Sequence, residues 1–214
     1  MHLSYRIVMR YGNEAGPLTA GRDPGDRAPA PGSLRLVQAL VNTLNAESEK
    51  DLLASADDAA RWFATAGLLP AGSRLSGAQQ RALVELREAI RQVLGTHTDR
   101  AVDAEVASRL TVALSSCRLA PAVQPDGGVR LICSDHDPFT RVVGQIAVVI
   151  AEAAAAGTWG RLKSCPGHLC GWAFYDRSAS GRSRWCSMEL CGARSKMRAY
   201  RGRARVSSQR ALPV

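Results

Sequence analysis

The sequence predicts an α+β fold that is mainly α, in which a helical N-terminal domain with one β-hairpin precedes a small cysteine-rich module. Three observations indicate this fold class. Apolar residues recur at helical spacing over most of residues 33–157, a Pro-Asp-Gly-Gly turn separates two short β-prone segments, and four of the six cysteines lie in the last quarter of the chain. A chain of 214 residues is long enough for one medium domain and one small one.

The chain divides into four predicted segments. Residues 1–32 are dense in proline, glycine and charge, which predicts a flexible N-terminal arm with at most a weak strand near Tyr5. A helical domain follows over residues 33–157. The cysteine-rich module with a basic helix then occupies residues 160–206, and a tail occupies residues 207–214.

Helical periodicity and capping residues predict five helices in the first domain. Their predicted starts are Ser33, Ser55, Ser76, Asp103 and Asp137. Ser55 and Ser76 each have an acidic or amide residue three positions later, as in a capping box, and Pro138 suits the first helical position of the last helix. Apolar positions extend the first predicted helix to Leu44. Residues 118–134 are predicted to form a β-hairpin around the Pro-Asp-Gly-Gly turn.

The excess positive charge is confined to the last quarter of the chain. From Arg161 to the C-terminus there are twelve Lys and Arg against two acids, whereas the first 160 residues carry sixteen bases and seventeen acids. The net charge of +9 is therefore concentrated on the cysteine-rich module. Such an asymmetry predicts a polyanionic partner for that module.

The sequence favours a cytoplasmic protein without a membrane span. The first twenty residues lack the uninterrupted apolar segment of a secretory signal, and the apolar segment at residues 142–156 is interrupted and short for a bilayer. Thiols stay reduced in the cytoplasm, so cysteines there are more often metal ligands than disulfide partners.

Four cysteines predict one structural zinc ion per chain. They form two pairs of the same spacing, with fifteen residues between the pairs: Cys165, Cys170, Cys186 and Cys191. Four thiolates complete a tetrahedral coordination sphere and leave no position for a catalytic water. Two disulfides or buried unliganded thiols are the alternatives, and the compartment and the spacing disfavour both.

The residues around these cysteines predict a treble-clef or zinc-ribbon-like finger. Residues 172–175 and 182–185 are expected to form two strands around a turn at residues 178–181. Ser187 is expected to cap a helix whose first turn carries Cys191. A module this small has too few large apolar residues to fold alone, so the metal would contribute the folding free energy.

Other potential ligands are expected to be structural. His168 lies between the first two cysteines and is placed on the rim of the site, while Cys117 and Cys133 flank the upstream hairpin as core or edge thiols. A second metal site is a weaker alternative, because a hairpin end and a helix cap account more simply for its would-be ligands: Cys133, Asp135, His136 and Asp137.

Residues 165–203 resemble the CGNR-type zinc finger of bacterial proteins. The resemblance is carried by the two cysteine pairs, by Asp176 with Ser178, by the segment Arg-Trp-Cys-Ser-Met at residues 184–188, and by Cys-Gly-Ala-Arg at residues 191–194. Ala193 stands where the family signature has Asn, which leaves the sequence preference in doubt but not the zinc. The segment from Ser33 to about Gly157 resembles the ABATE domain that usually precedes this finger. The family is grouped as stress-related transcription regulators, so the resemblance implies DNA binding by the finger and sensing by the helical domain.

A basic helix is predicted after Cys191. Spacings of four, three and four place Arg194, Arg198, Arg201 and Arg205 on one face, suited to a phosphate backbone or a major groove. The predicted nucleic-acid contacts are Arg177, Arg182, Arg184, Arg194, Lys196, Arg198, Arg201, Arg203 and Arg205. Arg194 is the predicted base-reading residue. A solvated basic tail is the simpler alternative.

The predicted function is a DNA-binding transcription regulator, and double-stranded DNA is the expected partner. RNA is the alternative polyanion because the finger's aromatic residues could stack on unpaired bases, and a protein-interaction adaptor is a second alternative. No metalloprotease, nucleophile-elbow or dinucleotide motif is present, so an enzyme is not expected. The helical domain is interpreted as a sensor or dimerisation module, with a homodimer and a small-molecule effector left open.

Overall fold

The structure, a computed structural model, describes residues 27–98, 101 and 103–210, with side chains up to residue 203. Most of the predicted N-terminal arm, including the strand near Tyr5, lies outside the described residues, as do the last four residues of the predicted tail. About half of the described residues are helical and the strands are short, which confirms the predicted α+β, mainly α, fold class.

The described residues form six α-helices and three two-stranded antiparallel ladders. The helices are α1 Leu34–Val41, α2 Ala56–Thr65, α3 Gly77–Thr96, α4 Ala104–Ser115, α5 Pro138–Ala155 and α6 Ala193–Arg210. The ladders pair β1 Leu44–Asn45 with β2 Lys50–Asp51, β3 Leu119–Val123 with β4 Val129–Cys133, and β5 Leu162–Ser164 with β6 Ala173–Tyr175.

Side-chain caps begin most of the helices where the sequence predicts them. Ser76 accepts from Gln79 N while the Gln79 side chain accepts from Ser76 N, which is a complete capping box. Ser55, Asp103 and Asp137 accept backbone N–H groups at the starts of α2, α4 and α5. These bonds satisfy N–H groups that have no partner within the helix.

The predicted first helix is too long. It ends at Val41, and Leu44 lies in the short ladder β1–β2, which the sequence did not predict. The reason is a long-range contact: Arg87 on α3 pairs with the half-buried Asp51 at 2.6 and 3.0 Å and holds β2 in place, so residues 42–51 fold back. The predicted hairpin β3–β4 is confirmed, with Leu119 opposite Cys133.

One core joins the helices to the last ladder. Leu36, Leu40, Ile90 and Ile146 are fully buried between α1, α3 and α5. Leu162, Ala173 and Tyr175 of β5–β6 belong to the same buried cluster. The ladder β5–β6 of the cysteine-rich module therefore packs against the core of the helical domain.

α5 is long and apolar enough to span a membrane by length and composition. Eight of its eighteen residues are buried in this structure, several of them in the central core. That burial is typical of a core helix in a globular domain.

The strand pairing predicted inside the finger is wrong. Residues 182–185 form no strand, and β6 pairs instead with β5, which precedes the first cysteine, with Leu162 opposite Tyr175. Two buried side chains described below hold residues 176–183 as an irregular loop.

Candidate metal centre and basic helix

The four predicted cysteines converge on one point. Their Sγ atoms all lie within 4.8 Å of one another, and Cys186 Sγ lies 3.6 Å from both Cys170 Sγ and Cys191 Sγ. A tetrahedral zinc ion with bonds of about 2.3 Å holds its sulfur ligands about 3.8 Å apart. Cys165, Cys186 and Cys191 are buried and Cys170 is half-buried. The donor set and its spacing fit a closed structural zinc site.

The first cysteine pair is set by the ladder β5–β6. Cys165 N donates to Trp172 O at 2.9 Å, which extends the ladder by one pair. Cys170 N donates to Gly167 O at 3.0 Å and closes the turn that returns the chain to β6. The first metal-binding loop, between Cys165 and Cys170, is thus a tight turn at the end of the ladder β5–β6, which we call the ribbon of the finger.

The second cysteine pair leads directly into α6. Ser187 Oγ accepts from Leu190 N at 3.2 Å, as the predicted cap, and residues Met188–Gly192 form one π-helical turn that carries Cys191. A Cβ on Gly192 would lie 2.5 Å from Met188 Sδ and 3.3 Å from the Trp185 ring, so the flexible Met188 side chain would have to shift to admit a larger residue here. Zinc bound to Cys191 therefore fixes the start of α6.

Without an ion, the pKa of one thiol is lowered and those of the other three are raised. Hydrogen bonds from Cys170 and Cys186 lower the pKa of the Cys165 thiol to about 2, although its burial acts in the opposite direction. The hydrogen bond with Cys165 raises the pKa of Cys170 to about 12 and also raises that of Cys186. Burial raises the pKa of Cys191. The thiolate is the form that binds zinc. Trp172 and Phe174, with Trp185 packed against them, form the small apolar cluster around the cysteines.

A buried ion pair shapes the loop between the cysteine pairs. Lys163 Nζ lies 2.9 Å from Asp176 Oδ2 and also donates to Gly181 O and Ser183 O. Asp176 accepts from Ser178 N and Ser183 N. Burial alone would raise the pKa of Asp176, but hydrogen bonds from Lys163, Ser178 and Ser183 hold it well below its ordinary value. The loop therefore curls around one carboxylate instead of forming a second strand.

The sequence matches two families of known proteins. Residues 34–157 match the ABATE family, described as "Putative stress-induced transcription regulator", and residues 161–204 match the CGNR zinc finger. The chain belongs to the ABATE family. No curated protein matches it significantly. Both predicted resemblances are confirmed, and the CGNR match together with the cysteine geometry establishes a structural zinc site.

The ABATE domain hydrogen-bonds to both outer edges of the finger's ribbon. Asn42 Nδ2 donates to Ala173 O at 2.9 Å and Asn42 Oδ1 accepts from Ala173 N at 2.7 Å, as a neighbouring strand would. On the other edge, Thr98 Oγ1 donates to Ser164 O at 3.1 Å, and His97 Nδ1 lies 2.7 Å from Leu162 O. A two-stranded ribbon leaves the backbone N–H and C=O groups on its outer edges without partners, and side chains of the ABATE domain provide hydrogen bonds to several of them.

Residues just before α1 contact the CGNR finger. Arg27 donates to Cys186 O at 2.7 Å and to Trp185 O at 3.2 Å, and its guanidinium lies 5.0 Å from the centre of the Phe174 ring. Arg177 donates to Pro29 O at 2.7 Å. The Arg27 contact has no signal in the sequence, because its partners lie 158 and 159 positions further along the chain.

The predicted nucleic-acid residues with described side chains are all exposed. On α6 these are Arg194, Lys196, Arg198, Arg201 and Arg203, and on the finger loop Arg177, Arg182 and Arg184. Arg184 lies 5.8 Å from the Trp185 ring and Arg177 lies 5.4 Å from the Tyr175 ring. The side chain of Arg205 lies outside the described residues.

Arg194 is already paired with the ABATE domain. Its Nη1 lies 2.7 Å from Glu47 Oε1 on the turn between β1 and β2. Beside it, a cleft of about 410 Å³ runs between the first metal-binding loop and α6, and His168 and Arg198 help to line it. His168 lies on the rim of the metal centre.

The remaining ligand-type residues have structural partners. Cys117 and Cys133 are buried against α5 beside Gly144. Asp135 accepts from Arg118 N at 2.6 Å and Asp137 caps α5. Within the described part of the chain, no second group of metal-type ligands comes together.

Proposed function

We propose that this ABATE-family chain is a DNA-binding transcription regulator in which the CGNR finger contacts duplex DNA and the ABATE domain fixes its orientation. One observation carries the proposal: a basic helix, exposed on all sides, begins at the zinc centre. From Ala193 to Arg203 the helix has five basic residues and no acid, and ten of these eleven residues are exposed.

The electrostatics select the finger as the binding surface. The first 160 residues are close to neutral overall, whereas the last 54 carry ten excess positive charges. A phosphate backbone is attracted to the basic end alone. Because zinc and the Asn42 contacts hold the finger rigidly, little conformational entropy is lost when the helix binds.

The aromatic residues favour duplex DNA over unpaired RNA. Trp172, Phe174 and Tyr175 are buried, and Trp185 is half-buried against the cysteines. Among the described aromatic side chains of the finger, Tyr200 is the exposed one. Recognition of single-stranded RNA relies on several exposed rings that stack on bases, so RNA is the weaker alternative. We also propose that the protein is cytoplasmic and that it acts by binding rather than by catalysis.

A salt titration of the zinc-loaded full chain against duplex DNA and structured RNA tests this function. If about five phosphates are neutralised, log affinity falls with log salt at a slope of roughly −4 to −5. Substituting Arg198→Ala and Arg201→Ala together should weaken binding to all sequences and make the slope shallower by about one unit each.

Arg109→Ala is the matched control, because Arg109 is an exposed arginine on α4 of the ABATE domain. It should leave both affinity and slope unchanged. Tighter binding to structured RNA than to duplex DNA would refute the proposal, as would absence of binding to either at low salt.

A further inference from the structure

α6 carries an exposed apolar stripe that neither the zinc site nor the protein core uses. Ala193, Met197 and Tyr200 are spaced by four and three residues and therefore lie on one face of the helix. Met197 is 51% exposed and Tyr200 is 64% exposed. Beyond the π turn that precedes it, α6 makes few contacts with other elements. The stripe thus faces away from the rest of the described structure.

Basic residues flank this stripe on both sides. Arg194, Arg198 and Arg201 form one row, which follows the stripe by one residue at each position. Lys196 and Arg203, seven residues apart, form a second row on the other side. At 3.6 residues per turn, each row lies roughly 75–100° around the helix from the stripe.

We propose that the apolar stripe reads thymine methyl groups in the major groove while the two basic rows contact the phosphates of the two strands. The inference rests on the proposed function and names the bases that the finger prefers. The major groove, about 12 Å wide, admits one helix with its side chains, and thymine presents its methyl group to apolar side chains there. Met197, in the middle of the stripe, is the central reading residue.

Charge complementarity excludes a second copy of α6 as the occupant. Two such helices packed stripe to stripe would bring four basic rows together without an acid between them. A groove between two phosphate backbones has the opposite charge on each side. An anionic lipid surface is also negative, but a stripe of Ala, Met and Tyr has little of the large apolar surface by which membrane helices insert.

The structure also changes the role expected of Arg194. Its guanidinium pairs with Glu47 when DNA is not bound, but both side chains are exposed, so a phosphate can replace the carboxylate. Arg194 is also the first of the row of three arginines. A residue in that row lies beside the apolar stripe rather than at its centre. Arg194 is therefore a phosphate-contacting residue in this arrangement, and base reading falls to Met197.

Replacement of thymine by uracil tests the inference, because it removes only the C5 methyl group. Duplexes that the zinc-loaded full chain selects from a random pool are prepared with thymine and with uracil. We expect affinity to fall about fourfold for each methyl group buried. Met197→Ala should abolish most of this difference, whereas Arg203→Ala should weaken binding to both duplexes by the same factor.

The outcomes separate this inference from the proposed function. Duplex binding that is equally tight with uracil and thymine, or a thymine preference that survives Met197→Ala, overturns the base-reading role of the stripe alone. Failure to bind any duplex overturns both proposals. Binding to vesicles of equal phosphatidylglycerol and phosphatidylcholine that matches binding to DNA, and is lost in Met197→Ala, would assign the stripe to a membrane surface instead.

Discussion

Lys163 and Asp176 show how single residues decide the local fold of the finger. Both side chains are almost completely buried, and the carboxylate organises the loop between the two cysteine pairs. The hydrophobic pattern cannot reveal this pair, since Lys163 looks like one more base in a basic segment. The cysteine ligands were predictable because four thiols in two equally spaced pairs are typical of a tetrahedral zinc site.

Asp176→Asn should destabilise the zinc-loaded protein by about 3 kcal/mol, because it leaves Lys163 buried without a counter-ion. Since the pKa of Asp176 is lowered by folding, the pair stabilises the protein fully above about pH 5 and loses this effect only as the pH falls further. The loss of unfolding free energy caused by Asp176→Asn, measured by urea unfolding, should therefore be constant from pH 6 to 9. Asp57→Asn, at an exposed helix start, should cost under about 1 kcal/mol. A loss of stability that varies across this pH range would contradict the assignment of Lys163 and Asp176 as a buried ion pair.

Cys186→Ser should weaken zinc binding by on the order of 100-fold or more, because one of four thiolates is lost from a site whose binding energy is also folding energy. Zinc stoichiometry and competition with a chromogenic chelator measure the effect. Cys117→Ser is the matched control, since Cys117 is buried in a separate cluster with Cys133 and Ala147. Retention of stoichiometric, tightly bound zinc in Cys186→Ser would exclude the proposed ligand set.

At the level of elements, the hairpin β3–β4 packs closely against α5 at one position, where α5 has a glycine. A Cβ on Gly144 would lie 2.6 Å from Cys133 Cβ and 3.3 Å from Cys117 Cβ. Neither neighbour is the far end of a flexible side chain, so the hairpin would have to move away from the helix. Cys117 and Cys133 therefore lie where the hairpin β3–β4 makes its close contact with α5.

Gly144→Ala should cost about 1–3 kcal/mol of unfolding free energy through overpacking. Gly160→Ala is the matched control, because a Cβ at Gly160 would meet nothing within 4 Å, and its effect should stay within about 0.5 kcal/mol. Chemical denaturation of both zinc-loaded variants measures the difference. Equal stability of the two variants would show that the helix–hairpin contact adapts freely.

Element boundaries that depend on local chemistry were predictable, and pairings that depend on distant residues were not. The caps Ser76 and Asp137 act within three residues, and both helices begin where the sequence indicates. The pairing of β5 with β6 spans the first metal-binding loop and depends on edge contacts from Asn42 and Thr98. A three-residue strand carries too little alternation to reveal such a partner.

At the level of the whole molecule, the finger and the ABATE domain share buried surface. The sequence analysis places a boundary between the helical domain and the cysteine-rich module near residues 157–160, and this division predicts two separable units, of which the helical one is unaffected by loss of metal. That division stays a prediction, but Leu162, Ala173 and Tyr175 lie in the ABATE core. Arg91 on α3 also donates to Gly171 O in the finger at 3.0 Å.

Chelation of zinc should therefore weaken the ABATE domain as well as the finger. We expect amide hydrogen exchange to accelerate in α1 and α3, which contact the ribbon, while the exposed hairpin β3–β4 changes little. Comparison of zinc-loaded and chelated full chain by mass spectrometry measures this. Unchanged exchange in α1 and α3 after complete zinc removal would support the independent units expected from the sequence.

α6 follows the zinc-binding π turn without a break. Any rotation of the helix relative to the rest of the protein therefore occurs about a point near the metal, which we call the pivot. The eighteen residues of α6 extend about 27 Å. A tilt of about 10° at the pivot displaces the far end by about 5 Å, which exceeds the roughly 3.4 Å rise of one base pair. The Glu47–Arg194 contact lies beside the pivot, where the smallest movement is amplified most. At the proposed DNA interface, a tilt of this size would shift only the C-terminal end of α6 by more than one base step, while its first half would move by less.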